Sequence, residues 1–122
     1  MVRGIRGAVQ ANKNSKKEIF MATQRLLQKI VKENNINLKD VASIFLTATV
    51  DLNADFPAYA VREMGWNPVP LLCAQEMDVP GAMKRVIRVL VHVNCDKSQN
   101  EIKHQYLGAT KKLRKDLSGG ER

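Results

Sequence analysis

The chain has 122 residues, 44% of them hydrophobic, and carries 20 Lys and Arg against 12 Asp and Glu, a formal charge of +8. This length suits one modest domain. It contains no apolar run near the roughly 20 residues of a membrane helix and no apolar signal core behind the opening Met-Val-Arg-Gly-Ile-Arg, so a cytoplasmic protein without a membrane partner is expected.

In chain order, residues 2–9 read as a strand interrupted by Gly4 and Gly7, and glycine inside a strand marks a bulge or a close backbone approach. Strand period sends Arg3 and Arg6 to opposite faces. Residues 12–14 form a turn. Ser15-Lys-Lys-Glu18 is a capping-box pattern, and Ile19, Ala22, Leu26, Leu27, Ile30 and Val31 make one apolar stripe, so a helix is predicted over residues 16–33. Asn34-Asn35 ends it, and Asn37-Leu-Lys-Asp-Val suits a short helical turn. Residues 42–48 have strand length and β-branched and aromatic content, and residues 49–55 are a polar loop.

Phe56-Pro57 opens a second helix, with proline suited to the first turn, and Gly65 can cap its end. A turn at Trp66-Asn67-Pro68 leads into a strand over residues 69–73. Residues 86–93 form the strongest strand in the sequence. After a loop at residues 96–100, residues 103–107 read as a short final strand carrying Tyr106. Residues 109–114 are ambiguous. Residues 1–117 therefore form one domain, and residues 118–122, Ser-Gly-Gly-Glu-Arg, form a terminal tail. The order β-α-β-α-β-β-β gives an α+β fold, a mixed five-stranded sheet with two main helices on one face. Its other face can be covered only by another subunit.

The stretch over residues 69–93 is the most informative. Two apolar runs flank a polar turn that holds Glu76 and Asp78, and the second run carries Arg88 in its middle. Alternation puts Arg88 on one face with Val86, Leu90 and His92, and Ile87, Val89, Val91 and Val93 on the other. A guanidinium in an apolar strand needs an anion or several acceptors. A solvated sheet face, or a structural ion pair with Glu76, would meet that need without any function.

The pattern Val-Pro-x-x-Cys73-x-Gln-Glu76-Met-Asp-Val, followed by Ile-Arg88-Val, resembles the AroH class of chorismate mutases. So do the opening Arg3-Gly-Ile-Arg6-Gly-Ala, the block Phe56-Pro-Ala-x-Ala-Val-Arg62-Glu, the segment His104-x-Tyr106-Leu and the closing Leu113-Arg114-x-Asp-Leu. These blocks fall in order and span residues 2–117. The resemblance implies a homotrimer, a pseudo-α/β-barrel assembly with active sites at subunit interfaces. It also implies rearrangement of chorismate to prephenate in aromatic amino-acid biosynthesis.

In that reading Arg88 meets the ether oxygen, and Arg6 and Tyr106 hold the side-chain carboxylate. Glu76 accepts from the ring hydroxyl with Cys73 beside it, while Phe56 and Arg62 enter a neighbour's site. Arg88, Glu76 and Arg6 are the expected catalytic residues; Phe56, Arg62, Cys73 and Tyr106 complete the substrate set. This chain has Tyr59 where the family often carries lysine, so Tyr59 is given no substrate contact. Arg114 matches a position near the site mouth, with a solvated terminal arginine as the alternative. His92 and His104 are read as structural.

Each residue also has a plain structural reading. Glu76 can be a turn carboxylate, Cys73 a small buried hydrophobe, Tyr106 an ordinary strand tyrosine, Phe56 a core residue and Arg62 a solvated one. There is no Ser-His-Asp or Cys-His arrangement, no Gly-rich phosphate loop and no metal cluster. Cys73 and Cys95 lie outside any Cys-x-x-Cys pair and suit reduced thiols. No cofactor and no metal are expected.

The charge asks for an anionic partner, and two other classes meet that demand. One is a nucleic-acid-binding module, disfavoured by six aromatics and by basic residues scattered over helix, loops and tail. The other is a trimeric sensor of an anionic metabolite, disfavoured because an anion receptor has no use for Glu76.

Overall fold

A computed structural model describes residues 1–114 of the chain, apart from the side chain of Arg114. The predicted tail at residues 118–122 and any contact of the Arg114 side chain lie outside the described residues. The elements are β1 (Val2–Gln10), α1 (Lys16–Asn34), β2 (Val41–Ala48), α2 (Pro57–Glu63), β3 (Leu71–Gln75), β4 (Val86–Asn94) and β5 (Gln105–Tyr106). Short 3-10 turns occupy Leu38–Asp40, Gln99–Glu101 and Gly108–Arg114. The ambiguous segment at residues 109–114 thus lies within the last of these turns.

The sheet order is β3-β2-β4-β1-β5. β4 runs antiparallel to both β1 and β2, while β3 lies parallel to β2 and β5 parallel to β1. The predicted mixed five-stranded sheet is therefore present.

α1 packs on one face of the sheet because its apolar residues recur at helical spacing. Ile19, Leu26, Leu27 and Ile30 are fully or almost fully buried against Ile5, Val9, Ile44 and Val91. Emptying one such site, as in Leu26→Ala, costs about 2–5 kcal/mol. Phe20 and Thr23 are buried as well, and Thr23 Oγ1 donates to the Ile19 carbonyl at 2.8 Å, so its hydroxyl is satisfied.

Ser15 caps the helix by accepting the Glu18 N–H at 3.2 Å. The reciprocal half of the capping box is not made: the Glu18 carboxylate accepts from Asn12 Nδ2 at 3.1 Å instead. At the other end Asn35 takes the left-handed conformation, φ 50 and ψ 48, which asparagine tolerates better than most residues.

β3 starts two residues later than predicted. Val69 is buried in a turn in which its N–H meets the Trp66 carbonyl at 3.2 Å. Pro70 has no N–H to give a ladder, although its carbonyl accepts from Ile44 at 3.0 Å.

Gly7 is needed where it stands. A Cβ there would lie 2.9 Å from Ile30 Cδ1, 3.0 Å from Leu26 Cδ1 and 3.1 Å from the Gln105 carbonyl oxygen. Its bare backbone lets α1 and β5 approach β1 together.

Candidate active site

Strand register sorts the side chains. Residues paired across neighbouring strands share a face. Ile87, Val89, Val91 and Val93 face the helices and are at most 4% exposed. The opposite face carries Arg88 and Leu90 on β4, Arg6 and Ala8 on β1, Phe45 and Thr47 on β2, and Tyr106 on β5. Phe45 and Leu72, which share this face, are 45% and 59% exposed. A sheet with one dry face and one face holding exposed apolar groups and cations is built to meet something on that second side.

One transverse row crosses this face. Thr47 pairs with Arg88, Arg88 with Ala8, and Ala8 with Tyr106. The Arg88 side chain is 41% exposed and Glu76 21%, with Arg88 Nε 3.4 Å from Glu76 Oε2. That approach lacks hydrogen-bond geometry, and Nε is buried with no hydrogen-bond partner among the described residues. A buried guanidinium N–H without an acceptor is costly, so the position is poised to take one.

Glu76 sits just beyond β3. Its N–H donates to the Ala48 carbonyl at 2.9 Å, extending the pairing with β2. Its Oε2 accepts a hydrogen bond from Thr47 Oγ1. Thr47 had no assigned role in the sequence. Only the pairing of β2 with β4 reveals that it stands beside Arg88.

Arg6 lies two residues before Ala8 on the same face. Its backbone N–H donates to His104 Nδ1 at 2.9 Å. An accepting Nδ1 leaves the ring proton on Nε2 and the imidazole neutral. Burial also lowers the His104 pKa below its ordinary 6.5.

The segment before β5 is held by Asn34. Its Oδ1 accepts from the Lys103 N–H at 2.8 Å, and its Nδ2 donates to the Lys103 carbonyl at 3.0 Å. Leu107 N donates to the Ala8 carbonyl at 3.0 Å, and Thr110 Oγ1 donates to the same oxygen at 3.0 Å. Half-buried Tyr106 is thus fixed against β1 from both sides. His104, read from sequence as structural, ties the strand of Arg6 to the strand of Tyr106.

The remaining candidates lie on β3 and at α2. Cys73 pairs with Leu46 and so faces the helices, on the side away from Thr47 and Arg88. It is half-buried, and burial pushes its thiol pKa up against a hydrogen bond with the Ala58 backbone. Phe56 is 58% exposed and stands edge-on to Tyr59 with centroids 5.3 Å apart, so it is not a core residue. Phe56, Pro57, Leu52 and Cys73 line a cleft of about 430 Å³. Arg62 is exposed, and its Nη1 donates to the Asn67 carbonyl at 2.9 Å.

One protomer therefore holds two groups: Arg6, Glu76, Arg88 and Tyr106 with the open sheet face, and Phe56 and Cys73 in the cleft beside α2, whose wall also includes Ala74 and Gln75 next to Glu76. Among the described residues no three His, Cys, Asp or Glu side chains gather as a metal site. No described helix is long and apolar enough to cross a membrane.

The model of one protein family, chorismate mutase type I, matches residues 2–117. The chain is 49% identical to chorismate mutase AroH of Bacillus subtilis over 119 residues, 97% of this chain and 94% of that one. It is 43% identical to chorismate mutase AroH of Thermus thermophilus over 122 residues, 99% and 100% of the two chains. Among solved structures, a chorismate mutase from Clostridium thermocellum superposes with a TM-score of 0.88 at 45% identity, covering 90% of this chain and 98% of that one.

Proposed function

The chain belongs to the type I chorismate mutase family, and we propose that it isomerises chorismate to prephenate with Arg88 as the electrostatic centre of the site. The observation that carries this is the Arg88 guanidinium, set on an open sheet face with a buried Nε–H that no described acceptor satisfies. The rearrangement is concerted and atom-balanced: the ether C–O bond breaks as a C–C bond forms, and nothing is gained or lost. Negative charge grows on the ether oxygen. A fixed cation there stabilises the transition state more than the ground state.

Arg6 and Tyr106 receive the side-chain carboxylate and favour the compact conformer, while Glu76 accepts from the ring hydroxyl. A gain of about a millionfold corresponds to roughly 8 kcal/mol. One placed cation supplies up to about half of that, and conformer restriction the rest. No proton transfer to a side chain and no cofactor enter the reaction.

The two groups on the protomer support a site shared between subunits. The open sheet face and exposed Phe56 and Leu72 suit burial against other copies. In a homotrimer, a pseudo-α/β-barrel assembly, Phe56, Arg62 and Cys73 of one subunit would complete the Arg88 group of the next. The protein is proposed to work in the cytoplasm, in aromatic amino-acid biosynthesis, without nucleic acid or a membrane as partner.

The direct test is incubation with chorismate, following the loss of its diene absorbance and the appearance of prephenate. Turnover that survives chelators and needs no nucleotide is expected. A folded protein that binds chorismate without converting it would mark the chain as a sensor instead.

A further inference from the structure

We propose that Thr47 is a positioning residue that holds the Glu76 carboxylate in a loose ion pair with Arg88, short of a hydrogen bond between them, keeping both groups available to substrate. This rests on the chorismate mutase reading above. Glu76 has its backbone pinned by the bond from its N–H to the Ala48 carbonyl, 2.9 Å. Its side chain keeps three rotatable bonds, and the Thr47 hydroxyl is what fixes the carboxylate. That hydroxyl donates to Oε2, the same oxygen that lies 3.4 Å from Arg88 Nε.

Thr47 and Arg88 are direct partners on neighbouring strands, so their side chains start from the same row and reach one carboxylate from two sides. The result is a triad in which Oε2 is satisfied by a neutral donor. Arg88 Nε–H is left near it without a hydrogen bond.

Removing the hydroxyl changes the balance. Oε2 then lacks its donor, while Arg88 Nε–H stands 3.4 Å away with no hydrogen-bond partner among the described residues. Both bonds are charge-assisted, but the guanidinium adds the attraction of a full opposite charge to that of its N–H, so the pair closes. Closure turns the guanidinium toward Glu76, weakens its field at the ether oxygen and draws Glu76 from the ring hydroxyl. Thr47 touches no reacting atom. It acts through Glu76.

The test uses the full-length protein with chorismate, measuring kcat, KM and Tm. Thr47→Val keeps the β-branched shape and removes the hydroxyl. It is expected to lower kcat by about tenfold or more, the scale for losing a hydrogen bond to a charged group, with a smaller change in KM and an unchanged Tm. Thr47→Ser restores the donor and should recover most of that loss.

In a Glu76→Gln background, Thr47→Val should change kcat by less than about threefold, because the effect passes through the carboxylate. An active wild type whose Thr47→Val variant is folded and within about twofold in kcat overturns the proposal. So does a Thr47→Ser variant as impaired as Thr47→Val. If Thr47→Val fails to fold, Thr47→Ala carries the same expectation. Failure of both to fold makes the residue structural and overturns the proposal. A folded wild type without chorismate turnover instead defeats the underlying reading of the site.

Discussion

The backbone N–H of Arg6 meets His104 Nδ1 at 2.9 Å, and this bond joins β1 to the segment that leads into β5 and Tyr106. It exists only while the imidazole is neutral on Nδ1.

A pH dependence of stability follows from that bond. Burial places the folded pKa of His104 below the ordinary 6.5. As pH falls through about 6.5 the unfolded chain takes up a proton that the fold resists. The contribution is therefore complete above 6.5 and is lost as pH falls from there through the folded pKa. Thermal melts at fixed protein concentration should show Tm dropping between about pH 7 and pH 5. His104→Asn keeps a side-chain acceptor and cannot titrate, so its Tm should vary less over that window. An unchanged slope in this variant would separate His104 from the effect. Between roughly pH 6 and 9, kcat itself should vary little, since no histidine is placed in the chemistry.

Arg88 distinguishes catalysis from binding. Arg88→Ala should lower kcat by at least about a thousandfold, near 4 kcal/mol. KM should move less, because Arg6 and Tyr106 remain. Arg88→Lys keeps charge but loses the planar fork, and should recover only part of the rate. The packed side of β4 consists of Ile87, Val89, Val91 and Val93, so neither change should empty the core. A raised KM with kcat within about tenfold of wild type would make Arg88 a binding group only.

Assembly can be read by complementation. Phe56→Ala and Arg88→Ala should each lower activity, and in a shared-site homotrimer they would damage different halves of the site. Subunits exchanged between the two variants should regain activity above the sum of the parents. A plain average after exchange, or a fully active monomer in sedimentation, would place the whole site within one chain.

Gly7→Ala tests the junction of α1, β1 and β5. The added methyl meets two flexible side-chain ends at 2.9 and 3.0 Å and the Gln105 carbonyl at 3.1 Å. The side chains can yield, but the carbonyl belongs to the strand of Tyr106. A loss of about 1–3 kcal/mol is expected from such overpacking, measured by denaturant unfolding at fixed concentration, together with a rise in KM as Tyr106 shifts. A neutral effect on both would show that β5 tolerates displacement.

Sequence alone determined what depends on local period and local chemistry. Alternation separated Arg88 from Ile87, Val89, Val91 and Val93, because a strand has only two faces. Ser15 and Asn35 bounded α1 because each suits a helix end. The ordered blocks around Arg6, Phe56, Glu76, Arg88 and Tyr106 pointed to the family that the comparisons show.

Tertiary structure decided what depends on pairing between distant strands. Thr47 is 41 residues from Arg88 by their numbers, yet register makes them neighbours. His104 meets Arg6 across a separation of 98 residues. Cys73, three residues from Glu76 in sequence, faces the helices because it pairs with Leu46. Register is set by the summed packing of whole strands and by the helices pressed on them, so no local pattern within β2 or before β5 reveals it.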